Sequence, residues 1–132
     1  MTAPDLDALV NAARAARARA YAPYSRFLVG AAVLGDNGHI YAGANVENAS
    51  YGLSICAERA AVLQAVLDGC RRLRAAAVVT SSHPPAAPCG MCRQTLAEFA
   101  RDLPIALVND AERIDSSLAE LLPRAFRPED LP

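Results

Sequence analysis

Two short stretches, Cys56-Ala57-Glu58 and Pro88-Cys89-Gly90-Met91-Cys92, restrict the fold more than any other feature of the chain. A Cys-x-x-Cys at the start of a helix sets two sulfurs about one turn apart on one face, the right bite for two corners of a zinc tetrahedron. Cys56 supplies a third ligand only where the chain folds back so that the start of its own helix meets the start of that one. Cys56 and Cys89 each open a helix after a non-helical segment, so both can lie at one edge of a sheet. There the positive helix ends would stabilise thiolates. Three protein ligands leave a fourth position for water, which separates a catalytic zinc site from a closed structural one. Glu58, two residues past Cys56, would stand beside that water.

The rest of the chain supplies such a frame. Residues near Asp5 to Ala20 read as an amphipathic helix, with Leu6, Leu9, Val10 and Ala13 at helical spacing and Arg14, Arg17 and Arg19 on the solvent side. Pro23 breaks it, and Leu28 to Leu34 is a short apolar run that predicts a buried strand. Asn37-Gly38 is a hairpin turn signal, and His39 to Val46 is the returning strand. Glu47 to Ile55 has no clean period and reads as a loop that delivers the chain to Cys56. A largely buried helix follows to Asp68, with Gly69 as its C-terminal cap. Ala75 to Thr80 is a continuous apolar strand, and the proline-rich Ser81 to Pro88 is a loop. A second helix opens at Cys89 and continues through Gln94 to Ala100. Pro104 to Val108 and Glu112 to Asp115 are strands joined by a turn at Asn109-Asp110, and Ser116 begins a last helix that ends near Leu122. This order predicts a three-layer α-β-α sandwich with a mixed five-stranded sheet, all in one domain over residues 1–132.

Composition excludes several classes of function. The thirteen cationic residues, all arginine, are scattered, and the net charge is -1, so the electrostatic footprint of a nucleic-acid binder is missing. No apolar run approaches the roughly 20 residues of a membrane span, and residues 1–20 carry arginines with no apolar region behind them. The expectation is a cytoplasmic protein with no membrane partner. Four cysteines without a secretory signal argue for thiols or metal ligands over disulfides. A lone Cys-x-x-Cys is as readily a structural zinc knuckle, a redox pair or a chance pairing; the upstream Cys-Ala-Glu shifts the balance to a catalytic site. Cys70 stands outside both motifs as a buried free thiol, and neither His39 nor His83 occupies a ligand slot.

His-x-Glu or Cys-x-Glu followed by Pro-Cys-x-x-Cys is the zinc deaminase signature. Through Tyr21-Ala-Pro-Tyr-Ser-Arg-Phe27, Asn45-Val-Glu-Asn-Ala-Ser-Tyr-Gly-Leu53, Cys56-Ala-Glu-Arg59, Pro88-Cys-Gly-Met-Cys-Arg-Gln94 and Leu121-Leu-Pro-Arg-Ala-Phe126, the chain resembles the small three-cysteine cytidine deaminases over nearly its whole length. The resemblance implies one zinc ion per subunit, held by Cys56, Cys89 and Cys92, with Glu58 as the proton shuttle. It further implies that Asn45, Val46 and Glu47 bind the ribose, with Asn45 and Glu47 on its 3'-hydroxyl. Phe27 would pack on the base, the Ala57 amide would read the pyrimidine oxygen, and Arg59 would donate to the ligand sulfurs. Phe126 would reach a neighbouring subunit's site in a homotetramer. Two positions depart from the usual pattern: Met91 stands where a smaller residue is common, and Arg127 where glycine is frequent.

The implied activity is hydrolytic deamination of cytidine and 2'-deoxycytidine, a pyrimidine salvage reaction. The rivals are deamination of another cytosine compound, such as blasticidin S, and a non-catalytic zinc-binding module. The intact segment from Asn45 to Leu53 favours the nucleoside, and a module would need no Glu58.

Overall fold

The computed structural model describes residues 4–132; residues 1–3 lie outside the description. Helix α1, Leu6–Arg17, starts where Asp5 accepts the backbone N–H groups of Asp7 and Ala8, two of the four donors that a helix start leaves without a partner. Strands β1, Gly30–Gly35, and β2, Ile40–Ala44, form the hairpin. Helix α2, Ala57–Leu67, is followed by strand β3, Leu73–Val79, then by helix α3, Gly90–Glu98, and strand β4, Pro104–Val108. Strand β5, Arg113–Ser117, and the one-turn helix α4, Leu118–Leu121, follow, and short 3-10 helices stand at Tyr51–Leu53 and Pro128–Asp130.

The five strands lie in the order β2-β1-β3-β4-β5. Only β3 and β4 are parallel, joined by a crossover through α3; the other neighbours are antiparallel. The expected mixed sheet is thus formed. Period-two alternation divides its faces. Ala75, Ala77 and Val79 of β3, with Ala106 and Val108 of β4, face Leu9, Val10 and Ala13 of α1. Ala76, Val78, Ile105 and Leu107 face the opposite way, onto Ala61, Val62, Ala65, Leu96 and Leu118 from α2, α3 and α4. Both faces are covered, so β3 and β4 read in sequence as unbroken apolar runs.

Element ends differ from expectation where tertiary partners decide them. The strand expected from Leu28 starts at Gly30, because the Leu28 carbonyl accepts from Arg17 Nε (2.8 Å) and the Val29 N–H donates to the Asn45 side chain (2.9 Å). Strand β5 reaches Ser117 because it stays in register with β4 as far as Pro104, so the last helix begins two residues later than Ser116. Ser117 caps it by accepting the Glu120 N–H (3.2 Å). Gly69 ends α2 as expected: its φ of +87° lets its own N–H reach Val66 O and the Cys70 N–H reach Ala65 O.

One close contact fixes where α2 begins. A Cβ at Gly43 of β2 would lie 2.6 Å from Ala61 N and 2.8 Å from both Ala57 O and Ala60 Cβ, so only glycine lets β2 support the first turns of α2. Gly43→Ala is expected to destabilise the protein by about 1–3 kcal/mol, because the obstructing atoms are largely backbone. Gly52→Ala, which meets nothing within 4 Å, should stay within about 0.5 kcal/mol of the parent. Urea midpoints at unchanged slope measure both, and equal midpoints for the two variants would place α2 independently of β2.

Candidate active site

Cys56 and Cys89 occupy the same local position, each the residue before the first turn of its helix, α2 and α3 respectively. Both have extended backbone and neither sulfur caps its helix, so both are free to point outward. Cys92 lies one turn into α3 and is fully buried. The Sγ atoms of Cys56 and Cys89 are 3.8 Å apart, those of Cys89 and Cys92 are 3.4 Å apart, and all three lie within 4.8 Å of one another. Four ligands at a Zn–S distance of about 2.3 Å define a tetrahedron with edges of about 3.8 Å. The trio therefore fits zinc without rearrangement of the backbone.

The protonation chemistry of the trio points the same way. The hydrogen bond from the Cys92 thiol, then that from Cys89, and the opposite charge of Arg59 pull the Cys56 thiol down to about 5. The bond to Cys56 and burial push the Cys92 thiol far up. This favours a Cys56 thiolate beside a protonated Cys92. Three thiolates together require a cation among them.

Glu58, in the first turn of α2, is 6% exposed and borders the same cavity. Burial, with the negative charge of Cys56 behind it, raises its carboxyl above the usual range. Ala57 is the first residue of α2 and is fully buried against the cavity; the first amides of a helix have no acceptor within it. Arg59 Nη2 donates to Ser54 O (3.1 Å), while its Nε is buried without a hydrogen-bond partner. Its guanidinium lies close enough to the Cys56 sulfur to favour the thiolate.

The cavity holds about 310 Å³ and is lined by Phe27, Val29, Asn45, Glu47, Ala57, Glu58 and Cys89, among others. Asn45 and Glu47 reach it from the end of β2 and also tie down the loop that carries Phe27. Asn45 Oδ1 accepts the Val29 N–H (2.9 Å), and its Nδ2 donates to Phe27 O (2.8 Å). Glu47 Oε1 accepts the N–H groups of Tyr24 (2.9 Å) and Ser25 (3.1 Å), and Oε2 accepts the Ser25 hydroxyl. These bonds, the Ser25 hydroxyl first, hold the Glu47 carboxyl below its ordinary value and keep it ionised.

Two of the residues singled out in the sequence do not line this cavity. Val46 points away from the cavity and is half exposed; its backbone bridges Tyr21 and Ile55. Phe126 is 57% exposed and does not line the cavity of its own chain. Conversely, Ser25 and Thr80 line the cavity without having been singled out in the sequence. Ser25 sits inside the Tyr21 to Phe27 motif, where its partnership with a residue 22 positions later leaves no local pattern. Thr80 stands at the end of β3, and its hydroxyl accepts the Ser82 N–H (3.2 Å).

The family model of the cytidine and deoxycytidylate deaminase zinc-binding region matches residues 4–106. The chain is 46% identical over 129 residues to the cytidine deaminase of Sporosarcina psychrophila, covering 96% of this chain and 95% of that protein. It is 46% identical over 131 residues to the cytidine deaminase of Mycobacterium tuberculosis, covering 98% and 96%. The crystal structure of cytidine deaminase from Burkholderia pseudomallei superposes with a TM-score of 0.88 at 47% identity, covering 93% of this chain and 100% of that one.

Removing the buried ligand tests the metal centre directly. Cys92→Ala is expected to lower zinc affinity by more than the roughly 10- to 100-fold that loss of an outer-shell partner costs. Metal analysis after dialysis against a chelator should find about one zinc per parent chain and almost none in the variant. Equal retention would exclude Cys92 as a ligand.

Proposed function

The chain belongs to the cytidine and deoxycytidylate deaminase family, and from that membership we propose that it hydrolyses cytidine and 2'-deoxycytidine to uridine and 2'-deoxyuridine with release of ammonia. The observation that carries this reading is the meeting of three ligand sulfurs, Glu58 and a nucleoside-sized cavity at two helix starts. A cavity of about 310 Å³ stands at the lower end of the roughly 300 to 1,000 Å³ typical of small-molecule sites. The scattered arginines give no track for a polynucleotide.

Cys56, Cys89 and Cys92 hold the zinc, which when bound supplies Lewis acidity that lowers the pKa of water to about 7. Glu58 takes a proton from the attacking water at its carboxylate and delivers it to the ring nitrogen beside the amino-bearing carbon, which makes that carbon electrophilic. The same carboxylate then takes the remaining proton from the hydroxyl now bonded to that carbon and passes it to the amino group, so the C–N bond breaks as the C=O bond forms and ammonia leaves as a neutral molecule. Burial suits Glu58 to both directions, because a raised carboxyl releases and accepts protons with less bias near neutral pH. Arg59 offsets the net negative charge that three thiolates leave on a divalent site. Phe27 packs on the base, and the Ala57 N–H, free of any intrahelical acceptor, reads the pyrimidine oxygen. Asn45 uses one amide proton on Phe27 O and has the other for the sugar's 3'-hydroxyl, while ionised Glu47 accepts from that hydroxyl. Val46, directed away from the cavity, contributes through its backbone in the segment between them.

In this reading the single catalytic domain works in the cytoplasm as a homotetramer in pyrimidine salvage. No described helix is long and apolar enough to cross a membrane. The exposure of Phe126 and its distance from its own chain's cavity lining support its acting in a neighbouring subunit.

Two measurements test the chemistry. Glu58→Gln should keep zinc and lose turnover by at least about 100- to 10,000-fold, since the amide preserves shape without moving a proton; near-normal turnover in the zinc-replete variant would remove Glu58 from the mechanism. For the sugar, 3'-deoxycytidine should be a poorer substrate than 2'-deoxycytidine by roughly 100-fold in kcat/KM. That is less than the roughly 10,000-fold of fully dedicated hydroxyl sites, because Glu47 keeps its bonds to Tyr24 and Ser25. Equal rates would move the sugar contact away from Asn45 and Glu47.

A further inference from the structure

The C-terminal end of α3 lacks what a helix end needs. Its last carbonyls have no intrahelical donors, and no basic residue stands in its last turn. The missing donor comes from Arg127. Its Nη1 donates to Ala97 O (2.6 Å) and Ala100 O (2.9 Å), and its Nη2 donates to Arg101 O (2.9 Å). A planar guanidinium presents several donors in a fixed fork, so three carbonyls around one helix end specify its position more tightly than a single ammonium would.

One turn earlier on the same helix, Gln94 holds the neighbouring residue by its backbone. Gln94 Nε2 donates to Phe126 O (2.7 Å), and the Phe126 N–H donates to Gln94 Oε1 (3.2 Å). This pair imitates a strand pairing and consumes both polar groups of the Phe126 backbone. Further up the helix, Arg93 Nη1 donates to Leu121 O (2.6 Å) while its Nε donates to Pro88 O (2.7 Å) beside the ligand Cys89. The arm that follows α4 is therefore tied along the helix that bears two zinc ligands. Its largest side chain, Phe126, is left facing solvent.

We propose that Gln94 and Arg127 are positioning residues that clamp the C-terminal arm to α3 before subunits meet, so that Phe126 is delivered in a preset orientation to a neighbouring chain's cavity. This inference rests on the shared-site reading above. Binding by a preordered group avoids the entropy cost of ordering it at contact. Without Arg127 the end of α3 and the arm would lose their common donor, and Phe126 would search for its seat. The clamp acts on the chain that donates the ring, not on the chain whose cavity receives it, and that asymmetry separates positioning from general stability.

Mixed assemblies read the asymmetry. Chains carrying Phe126→Ala and chains carrying Glu58→Gln are co-expressed with different tags, and assemblies holding both are isolated. Cytidine turnover is then measured per intact Glu58. The Glu58→Gln chains donate an intact arm to the only active cavities, so turnover should exceed that of the Phe126→Ala homo-oligomer. Adding Arg127→Ala to the donor chain should cut that gain roughly tenfold, whereas adding it to the recipient should not. No gain from the intact donor would overturn the shared-site reading; a full gain from the Arg127→Ala donor, or an equal loss from either side, would overturn the clamp alone. Amide hydrogen exchange at Phe126, compared between parent and variant at matched oligomeric state, gives a readout independent of turnover. It should quicken roughly tenfold or more in the Arg127→Ala protein, and an unchanged rate would also reject the clamp.

Discussion

Three thiol sulfurs within 4.8 Å of one another form the constraint from which most of this structure follows. Like charges at that distance are compatible only around a cation, and the geometry of the cation then dictates how the chain must fold. Two ligands come from one helix start and the third from another, so the fold must place both starts at the same edge of the sheet. The crossover from β3 through α3 to β4 and the path from β2 through α2 to β3 meet that requirement on a single face. Gly43 completes it by letting β2 approach the first turns of α2. Site and core are thus one construction: Cys56 and Glu58 flank Ala57, while Ala61, Val62 and Ala65 of the same helix pack into the apolar cluster.

Opposite the metal ligands, the cavity wall depends on polar side chains that act as fasteners. Asn45 and Glu47 lie just beyond an edge strand, and each binds backbone groups of the loop from Tyr24 to Val29. The placement of Phe27 and the shape of this wall are consequently linked through shared hydrogen bonds. Ser25 is the joint of this network, giving its hydroxyl proton to Glu47 and accepting the Phe27 N–H (3.0 Å). Arg26 between them takes a φ of +60°, an uncommon conformation for a residue with a side chain, and the bonds on both sides hold it there.

Much of this was legible in the sequence. The five strands and the main helices follow from apolar runs punctuated by Pro23, Asn37-Gly38, Gly69 and the prolines before Cys89, because local backbone preference and burial agree in those segments. The metal ligands and Glu58 were legible for a different reason: their chemistry demands particular residue types at fixed spacing from a helix start. Element ends were less so. Gly30 rather than Leu28 opens β1 because Arg17 and Asn45, distant in sequence, take the intervening backbone groups.

The sequence by itself determined the kind of chemistry and the layered fold, since three cysteines and one glutamate at helix starts admit few other arrangements. Tertiary structure alone decided which neighbours complete the site. It turned Val46 outward between Asn45 and Glu47, set Ser25 against a carboxylate far along the chain, and left Phe126 on the surface rather than in its own cavity. Those outcomes depend on hydrogen bonds between segments far apart in sequence, such as the fork of Arg127 on the end of α3. No periodicity encodes such partners, because the distance between them exists only after the sheet has formed.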